Sequence, residues 1–389
     1  MRRLLTGRSA AWGDLAGSVA DFGVLLPIVA ALVLQGGFDA GTVLIGVGAL
    51  YVVAGWIFAV PMPVQPIKAA AAITIARGLP PEQLAAAGLI LGLILVLLSL
   101  TGLTERVAVV FAPTIVRGLQ VGVGLVLLRT SLKLLGTAPS TMAVITAAVV
   151  AALLVGAART RLPAALVLVL GGVAWTLTTG VLPDVGFGLW QPHLAVADFG
   201  RASLWSALGL LVVPQLPLTF GNAVVGVTRL QHEYFPERAL RVTERRVGLS
   251  CGVANVAVGS LGGMPLCHGS SGLTAHVRAG ATTARMNLVI GGPLLVVGLV
   301  AGPAVVPLLG LVPAVVLAGM LAFTGVMHAG LAAQLRGYPL VVASLMGVVG
   351  AATGNLAWSL ATGLVLHWAP VGLAALDSAR SAPTPPTGA

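Results

Sequence analysis

Charge is what this chain has least of. Asp, Glu, Lys and Arg together make up 8% of the 389 residues, against about 25% in soluble globular domains, which excludes that class. Lysine is almost missing: Lys68 and Lys133 are the only two, so arginine carries the formal charge of +10. Cysteine is limited to Cys251 and Cys267, both in apolar settings. Two such residues make neither a disulfide framework nor a metal-ligand spacing. Aromatic residues are 5% of the chain, and no basic cluster is interleaved with them. Nucleic acid is therefore not an expected partner, whatever the net charge.

What is present is apolar length. Hydrophobic residues make up 58% of the chain. Runs such as 40–60, 84–100, 142–158 and 286–301 are apolar on every face, each close to the roughly 20 residues a helix needs to cross a bilayer. Helices are expected rather than strands, because an open sheet would leave backbone groups unpaired in lipid. The pattern predicts segments near 13–34, 41–60, 66–78, 83–101, 113–135, 141–158 and 162–181. A second set follows near 204–228, 247–262, 270–279, 285–301, 303–325, 338–353 and 355–370. This is an all-α integral membrane protein of about 14 transmembrane segments, two of them half-helices too short to cross alone. Met1-Arg2-Arg3 resembles the start of a signal peptide, but Asp14 and Asp21 interrupt the apolar stretch behind it, so a retained first helix is expected. Residues 373–389 read as a disordered tail.

With both termini cytoplasmic, this count places sixteen arginines inside and only Arg77 and Arg201 outside, with Arg129 and Lys133 near a helix end. That is the asymmetry of the positive-inside rule, and it points to a cell (inner or plasma) membrane with lipid as the surrounding partner. A faint repeat accompanies it. Phe22-Gly23 recurs as Phe220-Gly221, and Met62-Pro63 recurs as Met264-Pro265, at offsets of 198 and 202. The copies fall seven segments apart, so the second enters the membrane from the opposite side. That is the mark of a 7+7 inverted repeat.

The chemistry concentrates at two breaks. Pro61-Met62-Pro63-Val64-Gln65-Pro66-Ile67-Lys68 holds three prolines in six residues and cannot lie in a regular helix. The run from Ala69 to Ala76 reads as a short helix starting at that break. Its counterpart is the stretch from Gly262 to Gly272, which carries His268, Ser270 and Ser271. Paired broken segments in corresponding halves point to a midplane binding site. Two half-helix N-termini facing one another offer free N–H groups and partial positive charge. Lys68 adds a full charge, and Gln65, His268, Ser270 and Ser271 add hydrogen-bonding groups; together they suit an anion. The bland alternative has Lys68 snorkelling to an interface. Asp14 and Asp21, seven apart, share a face if their helix is continuous; Asp14 reads as a cap, Asp21 as an ion partner or proton carrier. Gln215 and Asn222 sit in a Pro- and Gly-rich stretch and either bind ligand or pack between helices. Arg117 and Gln120 read as structural, Arg129 and Lys133 as snorkelling, and His232, His276, His328 and His367 as interfacial. Cys267 reads as a packing residue; no metal site, catalytic residue or cofactor is expected.

Five stretches resemble the molybdate transporter family, a branch related to the SulP sulfate transporters. They are residues 17–32, 61–72 (with PMPVQPIK), 116–124 (VRGLQVGVG), 214–225 (PQLPLTFGNAVV) and 262–280 (GGMPLCHGSSGLTAHVRAG). The resemblance implies a SulP- and nucleobase-transporter-like fold, with a core domain from 1–101 and 204–301 and a gate domain from 102–203 and 302–372. It implies no soluble STAS domain. By resemblance the protein is a secondary active transporter of a tetrahedral oxyanion, most of all molybdate, held between half-helices 3 and 10 with elevator-type alternating access. The substrate-binding set is Asp21, Gln65, Lys68, Gln215, Asn222, His268, Ser270 and Ser271. Sulfate is the first alternative and a nucleobase the second, although the eighth segment lacks the acid that proton-coupled nucleobase relatives place there. The coupling ion, with the proton as candidate, and assembly as a homodimer stay open.

Overall fold

The apolar runs fold as helices, which satisfy their own backbone where water is absent. The structure, a computed structural model, describes residues 8–137, 140–159, 164–178 and 186–380. Its first half comprises α1 (Arg8–Ser18), α2 (Phe22–Leu34), α3 (Ala40–Phe58), β1 (Gln65–Pro66), α4 (Lys68–Arg77), α5 (Pro81–Thr101), α6 (Thr104–Val110), α7 (Pro113–Gly136), α8 (Ser140–Arg159) and α9 (Ala164–Thr178). In the second half α10 (Arg201–Ser206), α11 (Val213–Leu218) and α12 (Gly226–Tyr234) run on through π-helical turns at Ala207–Val212 and Thr219–Val225. Then come α13 (Glu244–Ser260), β2 (Leu266–Cys267), α14 (Ser270–Arg278), α15 (Arg285–Gly310), α16 (Ala314–Ala329), α17 (Tyr338–Thr353) and α18 (Leu356–Arg380).

Among the described residues, six helices are long and apolar enough to cross a membrane, α10 to α12 counting as one over Ser203–Tyr234. Shorter apolar helices at Val24–Leu34, Ser140–Leu153 and Tyr338–Thr353 accompany them. Trp12, Trp56, Trp175, Trp205 and Trp358 all stand exposed on the outer surface, as expected of side chains that meet lipid and its headgroups.

Three expectations need correction. The span predicted over 13–34 is two helices, α1 and α2, with a turn at 19–21 between them. Asp14 and Asp21 therefore do not share a helix face. The span predicted over 303–325 is interrupted at 311–313, where Pro313 precedes α16; upstream, the chain kinks at Ala301 (φ −137°, ψ 20°) and continues as helix to Gly310. Of the tail expected from 373, residues 373–380 are helical in α18; residues 381–389 lie outside the described residues.

The two broken segments cross at the centre of the fold. β1 and β2 pair antiparallel, Gln65 opposite Cys267 and Pro66 opposite Leu266. Around them the helices exchange partners. The helix before the first break, α3, packs on α15, and the helix after the first half-helix, α5, packs on α13. Both crossings are glycine against glycine: a Cβ on Gly48 would stand 2.7 Å from the Gly291 carbonyl oxygen, and one on Gly92 would stand 2.7 Å from that of Gly252. Small residues let backbones approach where no hydrophobic force separates helix from lipid. Helices α7, α16 and α17 form a neighbouring group that meets the broken segments through α4 and α2.

Candidate functional site

Broken backbone at membrane depth must find partners, and two asparagines supply them. Asn287 of α15 accepts from the Met62 N–H at 2.9 Å and donates to the Met62 and Tyr51 carbonyls at 2.7 and 3.2 Å. Asn255 of α13 does the same for Leu266, accepting from its N–H and donating to its carbonyl, both at 2.7 Å. Sequence reasoning passed over both residues. Their signal was a lone amide in an otherwise apolar helix close to a break.

On this scaffold a buried polar chain runs between the halves. Gln65 Nε2 donates to Asp21 Oδ1 at 2.5 Å, and Lys68 Nζ donates to Gln65 Oε1 at 2.8 Å and to Ser271 Oγ at 3.1 Å. Asp21 and Lys68 are 2% and 5% exposed, and Gln65 is fully buried; Lys68 is not at an interface, so the snorkelling alternative fails. The second carboxylate oxygen, Asp21 Oδ2, is buried without a hydrogen-bond partner among the described residues. Two glycines make room for this chain. A Cβ on Gly269 would stand 1.7 Å from Gln65 Oε1, and one on Gly272 would stand 2.5 Å from Asp21 Oδ2.

The remaining expected site residues divide. Ser270 Oγ donates to Asn222 Oδ1, tying α14 to the π-helical turn at Thr219–Val225. That turn and Pro217 disrupt the regular ladder locally, and such π-bulges recur at functional sites. Gln215 caps instead of facing the cluster: its Oε1 accepts from the N–H groups of Ala69 and Ala70 at 2.9 and 3.3 Å. The expectation of two free half-helix N-termini is thus corrected. Two of the orphan donors of α4 are already taken, whereas the N-cap residue of α14, Gly269, has no side chain to cap with. His268 also departs from expectation. Its Nδ1 contacts Pro63 O at 2.8 Å and its Nε2 contacts Ser250 Oγ at 3.0 Å, so both ring nitrogens are engaged in bracing the break.

Residues read as bland also moved. Asp14 Oδ1 accepts from the N–H groups of Thr282 and Thr283 at 2.8 and 3.0 Å, capping a turn 268 residues away rather than its own helix. His276 is fully buried, bridging Gly17 O at 2.7 Å and Tyr51 Oη at 3.4 Å. His328 on α16 is 5% exposed rather than interfacial, its Nδ1 lying 2.9 Å from the Thr324 carbonyl one turn earlier in the same helix. Arg129 is exposed, as a snorkelling side chain would be, and also donates to Ala351 O at 3.3 Å. Arg117 holds Gln120 and Gln334 at 2.8 and 2.6 Å, the structural role expected of it. Among the described residues no His, Cys, Asp or Glu cluster could hold a metal.

A family model described as "Molybdate transporter of MFS superfamily" matches residues 13–127 and 207–328, more than half of the chain. The chain belongs to the molybdate transporter family. Every residue of the buried polar chain lies inside the matched stretches. Molybdate transporter 1 of Arabidopsis thaliana is 29% identical over 361 residues, covering 80% of this chain and 78% of that protein. Molybdate transporter 1 of Chlamydomonas reinhardtii is 26% identical over 477 aligned positions, covering 91% and 90%. Among solved structures, the transmembrane domain of the cyanobacterial bicarbonate transporter BicA aligns with a TM-score of 0.65 at 16% identity, covering 92% of this chain and 98% of that one. The murine anion transporter Slc26a9 in its inward-facing state aligns with a TM-score of 0.67 at 14% identity, covering 95% and 70%. This molybdate transporter family member therefore shares the fold of these two transporters. Its named relatives are transporters rather than enzymes.

Proposed function

We propose that the protein is a secondary active transporter of a tetrahedral oxyanion, molybdate before sulfate, which binds between α4 and α14. The observation that carries this is Lys68. An ammonium has three donors, and two of those on Lys68 are used, on Gln65 and Ser271. In this reading the third, the Ser271 hydroxyl and the N–H groups at the start of α14 are the donors that meet the anion. A helix N-terminus with a cation beside it is a site for a multiply charged oxyanion. The names of the relatives favour molybdate.

Asp21 is the proton carrier in this reading. A dianion brought to a pocket holding one cation and one carboxylate leaves a large buried negative charge, which is expensive in a low-dielectric site. Protonation of Asp21 at Oδ2, the oxygen without a partner, removes one unit of it. The fold is read as a 7+7 inverted repeat of 14 segments with both termini cytoplasmic, supported by the reciprocal packing of α3 on α15 and α5 on α13. A core built from 1–101 and 204–301 then slides as an elevator against a gate built from 102–203 and 302–372, and a homodimer is the assembly proposed.

The test is uptake of labelled molybdate into proteoliposomes, with sulfate as competitor. Lys68→Ala is expected to weaken molybdate binding roughly 10- to 150-fold, as loss of one hydrogen bond to a charged group predicts. Uptake by that variant at the wild-type level would overturn the site, and sulfate competing better than unlabelled molybdate would reverse the order of substrates.

A further inference from the structure

A cavity of different character lies away from the polar cluster. It is a groove of about 940 Å³ on the outer flank, between α3 and α13. Its walls are apolar, formed by residues such as Ile45, Ala49, Val53, Leu249, Val253 and Ala257. It follows α3 from Thr42 to Ile57 and α13 from Arg246 to Leu261, about 22 Å along each helix axis at 1.5 Å per residue. Trp190 closes one end, its Nε1 donating to Thr42 Oγ1 at 2.9 Å. Trp56, 80% exposed, stands at the other.

The polar groups of this groove are few, and all but two are occupied. Thr42 Oγ1 bonds Asp39 and Trp190, and Ser250 Oγ is held by His268. What remains is Arg241 and Arg246 at the Trp56 end, and no carboxylate lines the groove with them. Arg246 Nη1 makes one long contact, 3.5 Å, to the Arg241 carbonyl. The Arg241 guanidinium has no hydrogen-bond partner among the described residues. The positive-inside asymmetry puts this end at the cytoplasmic surface. An apolar channel of half-bilayer length or more, ending in two unneutralised guanidiniums at headgroup level, has the chemistry of one ligand class.

We propose that the groove between α3 and α13 is a binding site for an anionic glycerophospholipid of the cytoplasmic leaflet. An acyl chain lies along the apolar walls, and the phosphate is held by Arg241 and Arg246. Arginine is suited to this because its planar fork meets phosphate oxygens two at a time. The site is independent of the transported substrate and stands whether or not molybdate is that substrate. It does touch the transport machinery through one contact: Ser250 in the groove wall holds the ring that braces the first break.

The test is native mass spectrometry of the full-length protein, titrated with phosphatidylglycerol and with phosphatidylcholine of identical chains. Two arginines near the membrane surface, at about 1 kcal/mol each, predict roughly 30-fold preference for phosphatidylglycerol. The double variant Arg241→Ala/Arg246→Ala is expected to abolish the preference while leaving weak binding of both lipids. Arg241→Lys/Arg246→Lys keeps the charge and is expected to retain most of it, which guards against a folding defect in the alanine pair. Ala257→Trp, at an exposed position of the wall, is expected to reduce binding of both lipids by filling the groove. Equal retention of the two lipids by the wild type, or a preference unchanged in the alanine pair, would overturn the proposal. So would a lipid-free dimer that Ala257→Trp dissociates, since the groove would then belong to a second copy.

Discussion

Gly272→Ala is the sharpest perturbation the polar cluster offers. The added methyl would stand 2.5 Å from Asp21 Oδ2 and 2.7 Å from Gln65 Nε2, about an ångström inside ordinary van der Waals contact. Gly272 is buried in the first turn of α14, so the helix cannot tilt away without breaking the Ser270–Asn222 tie. The side chains must yield instead, and the 2.5 Å bond from Gln65 to Asp21 is lost. Overpacking of a filled interior costs about 1–3 kcal/mol, and a hydrogen bond to a charged partner contributes about 1.5–3 kcal/mol. The expected destabilisation is therefore roughly 2.5–6 kcal/mol, with uptake falling to background. Gly136→Ala is the control, because a Cβ there meets nothing within 4 Å and should leave both properties unchanged. Thermal unfolding in detergent and oxyanion uptake in proteoliposomes read the two effects. The decisive comparison is made in an Asp21→Ala background. With the carboxylate gone and Gln65 free to rotate, the added methyl has room, and Gly272→Ala should have little further effect. If it costs as much there as in the wild type, the clash with Asp21 is not the cause and the reasoning fails.

Three further outcomes follow from the same geometry. Asn287→Leu leaves the Met62 N–H and C=O, both bonded by that amide, buried without partners; at about 1–3 kcal/mol each, unfolding in detergent should shift by roughly 2–6 kcal/mol. Gln215→Leu uncaps α4, and loss of a helix cap predicts a drop of about 0.5–2 kcal/mol in stability with uptake impaired more than unfolding; unchanged uptake would limit Gln215 to packing. If Asp21 carries the coupling proton, wild-type uptake rises as external pH falls and collapses with a proton uncoupler. Asp21→Asn should then keep substrate exchange but lose the response to both, and an undiminished response would place the proton elsewhere.

Much of the core was legible in the sequence because proline and glycine act locally. The breaks at Pro61 and Gly262, and the short helices after them, follow from missing backbone donors and from φ values that side chains resist. The structure places α4 at Lys68–Arg77 and α14 at Ser270–Arg278, close to the predicted short segments. Lys68 stood out for a similar reason: a charge inside an apolar stretch is costly wherever the chain goes. The first span was misread because Asp21, which stands at the N-cap position of α2, also reads as a polar residue inside one continuous helix.

The sequence by itself thus determined that this chain lives in a membrane, where its helices break, and which cation sits at the break. These depend on composition and on neighbours a few residues away. Tertiary structure alone decided the partners. Gln215 caps a helix 146 residues distant, Asp14 caps a turn 268 residues distant, and His268 braces the break at Pro63. An amide, a carboxylate or an imidazole can serve any acceptor or donor within reach. Which one it serves is set by how the helices cross, and those crossings depend on glycine pairs such as Gly48 with Gly291 that come together only in the folded chain.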